Sequence, residues 1–381
     1  MPHSTTAAAP ARPRTPSSLP PFPSGLPEAP IQRISLEQLM RREPAAEQEL
    51  WEACHTRGFF YLDLGGGEPE PGPGLTLASG ADELERLSHG AFRLPAETKQ
   101  AAAMARWRSL FGYKGPGIVA KEDPHRRRDV GEFWNLSKDD VLGQSSHPVA
   151  YPELLQEARP LLADFMRAAH EVGLLVLEIL ATRLGIPAGQ LASKHRLDQP
   201  SGDHVRLTYG PGNPEAATTT ATATATATAA QIKEEADTRI TTFAHTDFGS
   251  VTLLFNWLGG LQIENHDDGG DGGKTTAATA TKSWEWVRPV PGHAICNLGD
   301  AMREFAGGRV ASGRHRVVAA PGAQAALDRY SVVYFVRPED SVVLEDLTPG
   351  AARKPEAERW TAVRWIEERS RALGNDIRKN D

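Results

Sequence analysis

Short β-type segments follow one another between residues 205 and 337 of this 381-residue chain. Each is rich in β-branched and aromatic residues, and turn-forming residues separate one segment from the next. The segments are RLTYG, ITTFAH, SVTLLFNW, GLQIE, WEWVRPV, HAICNL, RVVAA and RYSVVYFV. Many short strands with turn signals between them are typical of a β-sandwich or a jelly roll. We therefore predict a mainly β fold with flanking helices.

The residues before this region carry both strand and helix signals. Residues 1–30 are rich in Pro, Ser, Thr and Ala, and we expect a disordered leader because such a segment buries too little apolar surface. The sequence IQRISLEQL after residue 30 predicts a strand that enters a helix, and GFFYL near residue 60 predicts a second strand. We expect an N-terminal module over residues 31–150.

Helical periodicity appears on both sides of the β-rich region. Apolar residues recur at helical spacing between residues 160 and 184, and Gly185 suits the C-terminal stop of that helix. We assign residues 151–200 to connecting helices and residues 341–381 to a C-terminal helical segment. Its last helix is predicted over residues 355–373 and is expected to pack on the outside of the barrel or to cap a neighbour.

The β-rich core is assigned to residues 201–340 and contains two low-complexity inserts. The insert near residues 215–230 is dominated by alternating Ala and Thr, and the insert near residues 267–281 begins DDGGDGG. Both lie between predicted strands and would otherwise break the ladder, so we expect disordered loops.

Composition excludes several classes of protein. The net charge of -7 gives no electrostatic reason to expect a nucleic acid or an anionic membrane as partner. No stretch approaches the ~18 consecutive apolar residues of a membrane span. The two cysteines, Cys54 and Cys296, offer neither a disulfide framework nor a zinc ribbon, which fits a reducing compartment. We expect a cytoplasmic monomer.

His245 and Asp247 stand two positions apart in the segment TFAHTDFG. On an extended backbone both side chains leave the same face, so one imidazole and one carboxylate can meet one ion. His315, which precedes another β-type run, is the best candidate for a third ligand. Two histidines and one carboxylate form a facial triad with open positions, which suits Fe(II). An isolated H-x-D pair would more often be a chance pair on a polar strand.

Arg329 and Ser331 are also two positions apart, in the segment DRYSVVYF. A guanidinium fork beside a hydroxyl on one strand face is a receptor for a carboxylate. If this motif stood alone, a surface salt bridge would be the more frequent role of such an arginine. The apolar residues around Arg329 indicate that it is partly buried and paired.

Taken together, these motifs resemble the isopenicillin N synthase-like Fe(II)/2-oxoglutarate-dependent dioxygenase family, from about residue 31 to residue 338. They occur in the family order: GFFYL, FRLPAETK, DVGEFWN, RLTYGP, HTDFGSVTLLF, GGLQIE, NLGD, RHRV and RYSVVYF. The resemblance implies a double-stranded β-helix (jelly-roll) core with an α/β N-terminal module. It also implies Fe(II), 2-oxoglutarate and O₂ as cofactor and cosubstrates, with ascorbate as a candidate reductant.

The resemblance further implies roles for individual residues. His245, Asp247 and His315 would bind iron, while Arg329 and Ser331 would hold the distal carboxylate of 2-oxoglutarate. Three departures concern the cosubstrate end of the site. Thr208 stands where many members have Asn, Gly210 replaces a frequent second Tyr, and the step from His315 to Arg329 is longer than usual.

Tyr209 matches the family tyrosine that helps to hold the cosubstrate, and it would complete this end of the site. No catalytic residue beyond the metal ligands is predicted.

The function implied by the resemblance is hydroxylation or desaturation of a small-molecule metabolite, coupled to conversion of 2-oxoglutarate to succinate and CO₂, in secondary metabolism. One alternative is a 2-oxoglutarate-independent oxidase of the isopenicillin N synthase or aminocyclopropanecarboxylate oxidase type. A second alternative is a jelly-roll binding protein without the chemistry. Stoichiometric succinate release would separate the first two.

A substrate pocket is expected at the open end of the barrel. Its candidate lining residues are the aromatic residues Tyr113, Phe133, Trp134 and Phe248. For each of these four, packing in the core is at least as frequent a role.

Overall fold

The computed structural model describes residues 19–65, 72–107, 109–119, 123, 125–214, 232, 237–265 and 283–373. Residues 1–18 of the predicted leader, both predicted inserts and residues 374–381 lie outside this part. Within it, no helix combines the length and apolar character that a membrane crossing would need.

The N-terminal part alternates between helices and strands. Its elements are β1 (Gln32–Ser35), α1 (Leu36–Met40), α2 (Pro44–Thr56), β2 (Phe59–Asp63), α3 (Pro73–Arg93), α4 (Ala96–Ala101) and α5 (Met104–Trp107). β1 runs directly into α1 because the Ser35 hydroxyl accepts a hydrogen bond from the backbone N–H of Gln38 (3.3 Å) and caps the helix. β1 and β2 pair in parallel. The predicted strand entering a helix and the second strand are confirmed.

The next elements connect this part to the barrel. They are β3 (Gly112–Lys114), β4 (Glu132–Ser137), α6 (Lys138–Val141), α7 (Glu153–Glu157) and α8 (Arg159–Leu184), followed by a 3₁₀ turn (Ala192–Lys194). α8 ends where Gly185 adopts a left-handed conformation (φ 71°), which a residue without a side chain does at little cost. This confirms the long helix and its predicted stop.

The barrel strands occupy the second half of the chain. They are β5 (His204–Gly210), β6 (Ile240–His245), β7 (Val251–Asn256), β8 (Leu261–Asn265), β9 (Ser283–Trp286), β10 (His293–Leu298), β11 (His315–Val318) and β12 (Arg329–Val336). The described residues of this half also form the α-helices α9 (Asp300–Phe305) and α10 (Ala362–Ala372).

The described strands form two sheets. The major sheet has the order β1-β2-β10-β7-β12-β5-β4-β3, and the minor sheet has the order β6-β11-β8-β9. Apolar residues of both sheets, such as Phe59 and Ile295 from the major sheet and Ile263 from the minor sheet, share one buried cluster. The two sheets therefore pack face to face, as the predicted jelly roll requires. The N-terminal module shares the major sheet, because β4 pairs with β5.

The largest core lies between the major sheet and the helices α3 and α8. Along β12, Val332 and Tyr334 face this core, while Ser331 and Val333 face the interior of the barrel. This alternation follows from the two-residue period of a strand. One face of each central strand thus stabilises the fold, and the other face is available for a site.

Residues 19–30 correct the prediction of a disordered leader, because they pack against the minor sheet. Leu26 is buried in a cluster with Trp286 and Ile240. The backbone of Trp286 donates to Pro27 O (2.8 Å) and accepts from the N–H of Ala29 (2.9 Å). The segment is ordered because it binds the barrel, although its own composition predicts no structure.

The last helix also begins later than predicted. The backbone around Trp360 pairs with an earlier segment, since the N–H of Leu344 donates to Trp360 O (3.0 Å) and the N–H of Ala362 donates to Val342 O (2.8 Å). These tertiary hydrogen bonds hold Trp360 in an extended conformation, so α10 starts at Ala362.

Candidate active site

Three side chains that could bind a metal converge inside the barrel. His245 ends β6 and lies opposite His315 of β11 in the register of the minor sheet, and Asp247 follows two residues after His245. Asp247 Oδ1 lies 3.6 Å from His245 Nε2 and 3.9 Å from His315 Nε2. One ligand atom from each residue lies within 4.8 Å of the others. The three predicted metal ligands are thus brought together by strand register.

Hydrogen bonds orient each of these side chains. The Nδ1 atoms of His245 and His315 lie 2.8 Å and 3.1 Å from the carbonyl oxygens of Phe243 and Gly313, so both Nδ1–H groups can donate and both Nε2 lone pairs face the centre. Asp247 Oδ2 accepts from Thr252 Oγ1 (2.7 Å) and from Asn297 Nδ2 (2.7 Å). Its other oxygen, Oδ1, is left for a cation.

The charge states of His315 and Asp247 suit a metal. Burial, followed by the nearby His245, lowers the pKa of His315 to about 4, so this imidazole is neutral at neutral pH. Burial of Asp247 acts to raise its pKa, but His315, His245 and Asn297 outweigh burial and hold that pKa well below its usual range. A neutral imidazole and an ionised carboxylate are the forms that bind metals.

Arg329 lies on the same interior face, with only 3% of its surface exposed. Its Nε donates to Gly259 O (2.7 Å), and its Nη1 lies 3.5 Å from Ser331 Oγ. Its Nη2 is buried without a hydrogen-bond partner. Gly260 (φ 115°) makes room for this side chain, because a Cβ there would lie 3.0 Å from Arg329 Nε. Burial lowers the pKa of Arg329 to about 10, which leaves it charged at neutral pH.

Two connected cavities meet at the His245–Asp247 pair. The inner cavity extends to Arg329 and is lined by Thr208, Thr252, Leu254, Leu261, Asn297, His315, Val317, Ser331 and Val333, among others. The outer cavity extends towards α10 and is lined by Lys114, Asp129, His204, Phe248, Arg337, Ile366, Ser370 and Leu373, among others. Phe133, Arg206 and Phe335 line both. The C-terminal helix therefore closes the outer cavity.

The predicted substrate-pocket aromatics divide into two groups. Phe133 and Phe248 line the outer cavity. Tyr113 and Trp134 instead belong to the main hydrophobic core, where their tilted rings contact each other with a centroid distance of 5.0 Å. Trp134 is fully buried on the face of β4 opposite to Phe133, because neighbouring residues of a strand point to opposite faces. The expectation that Tyr113 and Trp134 line the pocket is therefore corrected.

The expected role of Tyr209 at the cosubstrate is also corrected, because this side chain points to the outer face of its strand. Its ring packs between α3 and β12, 5.4 Å from the ring of Phe92 and 5.3 Å from that of Tyr330, and its hydroxyl donates to Asp328. The residue before it, Thr208, lines the inner cavity and pairs with Ser331 across the strands. Thr208, rather than Tyr209, therefore faces the inner cavity from this strand.

Sequence reasoning did not assign several residues of the site. Thr252 and Asn297 orient Asp247, although both lie in motifs that the sequence shows, HTDFGSVTLLF and NLGD. Arg206 stands two positions before Thr208 on β5, so strand alternation would have placed both on one face. Arg337 follows β12 and carries no local signal.

Comparison with known proteins shows which family shares this sequence. Residues 30–158 match the family model for the N-terminal region of the non-haem dioxygenases of morphine synthesis, and residues 203–338 match that of the 2OG-Fe(II) oxygenase superfamily. The chain is 31% identical over 332 residues to a 2-oxoglutarate-dependent dioxygenase of Aspergillus fumigatus, covering 86% of this chain and 80% of that protein. The chain belongs to the 2OG-Fe(II) oxygenase superfamily. The predicted isopenicillin N synthase-like family is confirmed.

Solved structures show the same fold. The oxygenase superposes on a full-length Neurospora crassa protein solved in complex with alpha-KG, with a TM-score of 0.64 at 20% identity, covering 88% of this chain and 94% of that one. A putative 2OG-Fe(II) oxygenase family protein from Caulobacter crescentus gives a TM-score of 0.64 at 22% identity, covering 90% and 99%. The oxygenase is thus an oxidoreductase of a superfamily that uses Fe(II) and 2-oxoglutarate.

Proposed function

We propose that this oxygenase hydroxylates or desaturates a small-molecule metabolite of secondary metabolism, with Fe(II) bound by His245, Asp247 and His315. The observation that carries the proposal is the unpaired Nη2 of the buried Arg329 in the same cavity as the metal-binding side chains. A metal site and a buried carboxylate receptor in one cavity are what a chelating dicarboxylate cosubstrate requires.

The donor set fits Fe(II). Two imidazole nitrogens and one carboxylate oxygen form a facial triad, which leaves the opposite positions free for other ligands. Thr252 and Asn297 support the fit, because they occupy Asp247 Oδ2 and leave Oδ1 for the metal. A structural zinc site would instead need a closed set of four ligands.

The inner cavity fits 2-oxoglutarate. Arg329 and Ser331 would bind the distal carboxylate, and Thr208 adds a hydroxyl on the neighbouring strand. Arg329 Nε is held by Gly259 O, so the guanidinium is positioned before the ligand arrives. When bound, iron and 2-oxoglutarate supply the oxidising chemistry, in which 2-oxoglutarate and O₂ yield succinate and CO₂ and the substrate is oxidised.

The surrounding residues keep water from this chemistry. Leu254, Leu261, Val317 and Val333 form apolar walls of the inner cavity. In a cavity from which water is excluded, the charges of Arg329 and of the metal act more strongly on their ligands than they would in water. The outer cavity, next to His245 and Asp247, would hold the substrate.

Relatives favour a 2-oxoglutarate-dependent reaction over the oxidase alternative. A 2-oxoglutarate-dependent dioxygenase of Amanita muscaria is 30% identical over 216 residues, which is 56% of this chain and 88% of that protein. A relative of Arabidopsis thaliana, 26% identical over 323 residues, is named gibberellin 2-beta-dioxygenase and thus acts on a small molecule. We further propose a cytoplasmic location, since Cys54 and Cys296 are both buried as free thiols, which fits a reducing compartment. We also propose that the protein is a monomer.

Anaerobic spectroscopy tests the proposal. Addition of Fe(II) and 2-oxoglutarate should produce a metal-to-ligand charge-transfer band, which His315→Ala should lose and His55→Ala, a change of an exposed histidine on α2, should keep. A folded wild-type protein without this band would overturn the assignment. Turnover without succinate release would instead support an oxidase.

A further inference from the structure

Two arginines line the outer cavity and have no role in the proposed chemistry. Arg337 is buried, and Arg206 is partly buried. Arg206 extends from β5 between two aromatic rings, with its Cζ 4.2 Å from the centroid of Phe133 and 5.0 Å from that of Phe335. Arg337 follows β12, is 5% exposed, and has its Cζ 5.4 Å from the centroid of Phe335. The two guanidinium groups thus flank the same phenylalanine.

Neither arginine has a carboxylate partner within 4.0 Å among the described residues. Arg206 Nε donates to the neutral amide of Asn135 (Oδ1, 2.8 Å), and Arg337 Nε is buried without a partner. Apart from Arg329, whose Nη2 is also unpaired, other buried cations among the described residues have carboxylate partners. Lys114 forms an ion pair with Asp129, and Arg316 forms one with Asp237.

The charges lining the outer cavity do not balance. Among its described lining residues the cations are Lys114, Arg206 and Arg337, and the carboxylates are Asp129 and Asp247. Asp129 is paired with Lys114, and Asp247 is oriented towards the two histidines of the metal site. Within this lining, two positive charges therefore face the outer cavity without a carboxylate of their own, while Asp203 and Asp340 act on Arg337 from outside the lining.

This imbalance costs free energy unless an anion enters. Burial lowers the pKa of both Arg206 and Arg337 to about 10, which leaves both guanidinium groups charged at neutral pH. A buried charge without a partner is strongly disfavoured, whereas a guanidinium fork binds a carboxylate through two parallel hydrogen bonds. The aromatic walls around the two arginines favour an organic acid over a fully hydrated ion.

We propose that the substrate of this oxygenase carries a carboxylate, which Arg337 and Arg206 bind in the outer cavity. The proposal rests on the proposed function, because it places the substrate beside the metal site. The apolar part of the substrate would contact Phe248 and Phe133 and present a C–H bond towards His245 and Asp247. Arg337 is the diagnostic residue, since Arg206 also lines the inner cavity and can act on 2-oxoglutarate.

Matched acids and amides test this proposal. Benzoate, phenylacetate and 3-phenylpropionate, each with its primary amide, are titrated calorimetrically into the protein loaded anaerobically with Fe(II) and 2-oxoglutarate. At least one acid should bind about tenfold or more tightly than its amide, the contribution of one charged hydrogen bond. Arg337→Gln should reduce that ratio to below about threefold, while Arg337→Lys should retain part of it.

The controls separate this inference from the proposed function. Arg288→Gln removes a partly exposed arginine that pairs with Glu28 and lies outside the outer cavity, so it should leave the acid-to-amide ratio unchanged. The affinity of Arg337→Gln for 2-oxoglutarate should stay within about twofold of wild type. If wild-type protein gives the charge-transfer band but binds no acid better than its amide, the carboxylate proposal is overturned and the proposed function stands. Absence of the band would refute the proposed function itself.

Discussion

The hydroxyl of Thr252 is expected to determine how tightly Fe(II) binds, although it does not touch the metal. It donates to Asp247 Oδ2 (2.7 Å), the oxygen that also accepts from Asn297 (2.7 Å). Thr252 is only 4% exposed, so water cannot easily replace the lost donor. Thr252→Val keeps the shape of the side chain and removes this single hydrogen bond.

The size of the effect follows from the charge on Asp247. A hydrogen bond to a charged group contributes about 1.5–3 kcal/mol, and about 1.4 kcal/mol corresponds to a tenfold change in affinity. Loss of this bond should therefore weaken Fe(II) binding about 10- to 100-fold, the range known for groups that orient metal ligands. The remaining bond from Asn297 prevents a larger loss.

Anaerobic titration with Fe(II) in the presence of saturating 2-oxoglutarate measures this affinity through the charge-transfer band. Thr246→Val is the matched control, because the Thr246 hydroxyl donates to Asp300 Oδ2 (3.0 Å) rather than to Asp247. The control should bind Fe(II) within about threefold of wild type. The reasoning is refuted if Thr252→Val is folded, as judged by circular dichroism, and binds Fe(II) as tightly as the control.

Three further changes probe other parts of the molecule. Arg329→Gln should weaken 2-oxoglutarate binding by about 2–5 kcal/mol. This should be seen as a higher 2-oxoglutarate concentration at half-maximal intensity of the charge-transfer band. An unchanged concentration would show that Arg329 does not bind 2-oxoglutarate. Trp134→Ala should lower the free energy of unfolding by about 3–5 kcal/mol, as measured by urea unfolding. Phe133→Leu should change the affinity for substrate and lower the free energy of unfolding by less. Equal losses of unfolding free energy would contradict the placement of the two residues on opposite faces of β4. Burial lowers the pKa of His195 to about 4, so the folded state disfavours protonation of this imidazole. The contribution of neutral His195 to the free energy of unfolding should therefore be fully present above about pH 6.5 and fall by roughly 3 kcal/mol towards pH 4. His195→Gln should flatten this part of the pH profile, and an unchanged slope would show that other groups cause it.

Local patterns in the sequence predicted many of the helices and strands and the candidate metal-binding side chains. The helical period and Gly185 were sufficient for α8 because these signals act between neighbouring residues. The pair His245 and Asp247 could be predicted because residues two apart on an extended chain share a face. The order of the motifs along the chain then supported His315, Arg329 and Ser331 as further site residues. All three line the inner cavity.

The tertiary structure decided which face of each strand looks into the barrel. A two-residue period separates Phe133 from Trp134, and Thr208 from Tyr209, but it does not say which member of each pair is inside. That choice depends on where α3 and α8 cover the major sheet, since these helices bury Trp134 and Tyr209 on the outer face. The sequence therefore predicted both Phe133 and Trp134 in the pocket, and the family resemblance assigned Tyr209 to the cosubstrate.

Contacts between distant parts of the chain also decided what surrounds the site. Arg206 and Arg337 lie on different segments and converge only when β5 and β12 pair. Residues 19–30 gain order from the minor sheet, and α10 closes the outer cavity through Ile366 and Ser370. The sequence by itself determined the candidate metal ligands, His245 and Asp247 through local spacing and His315 through the order of the motifs. The lining of the outer cavity depends on long-range packing, and only the folded chain determines it.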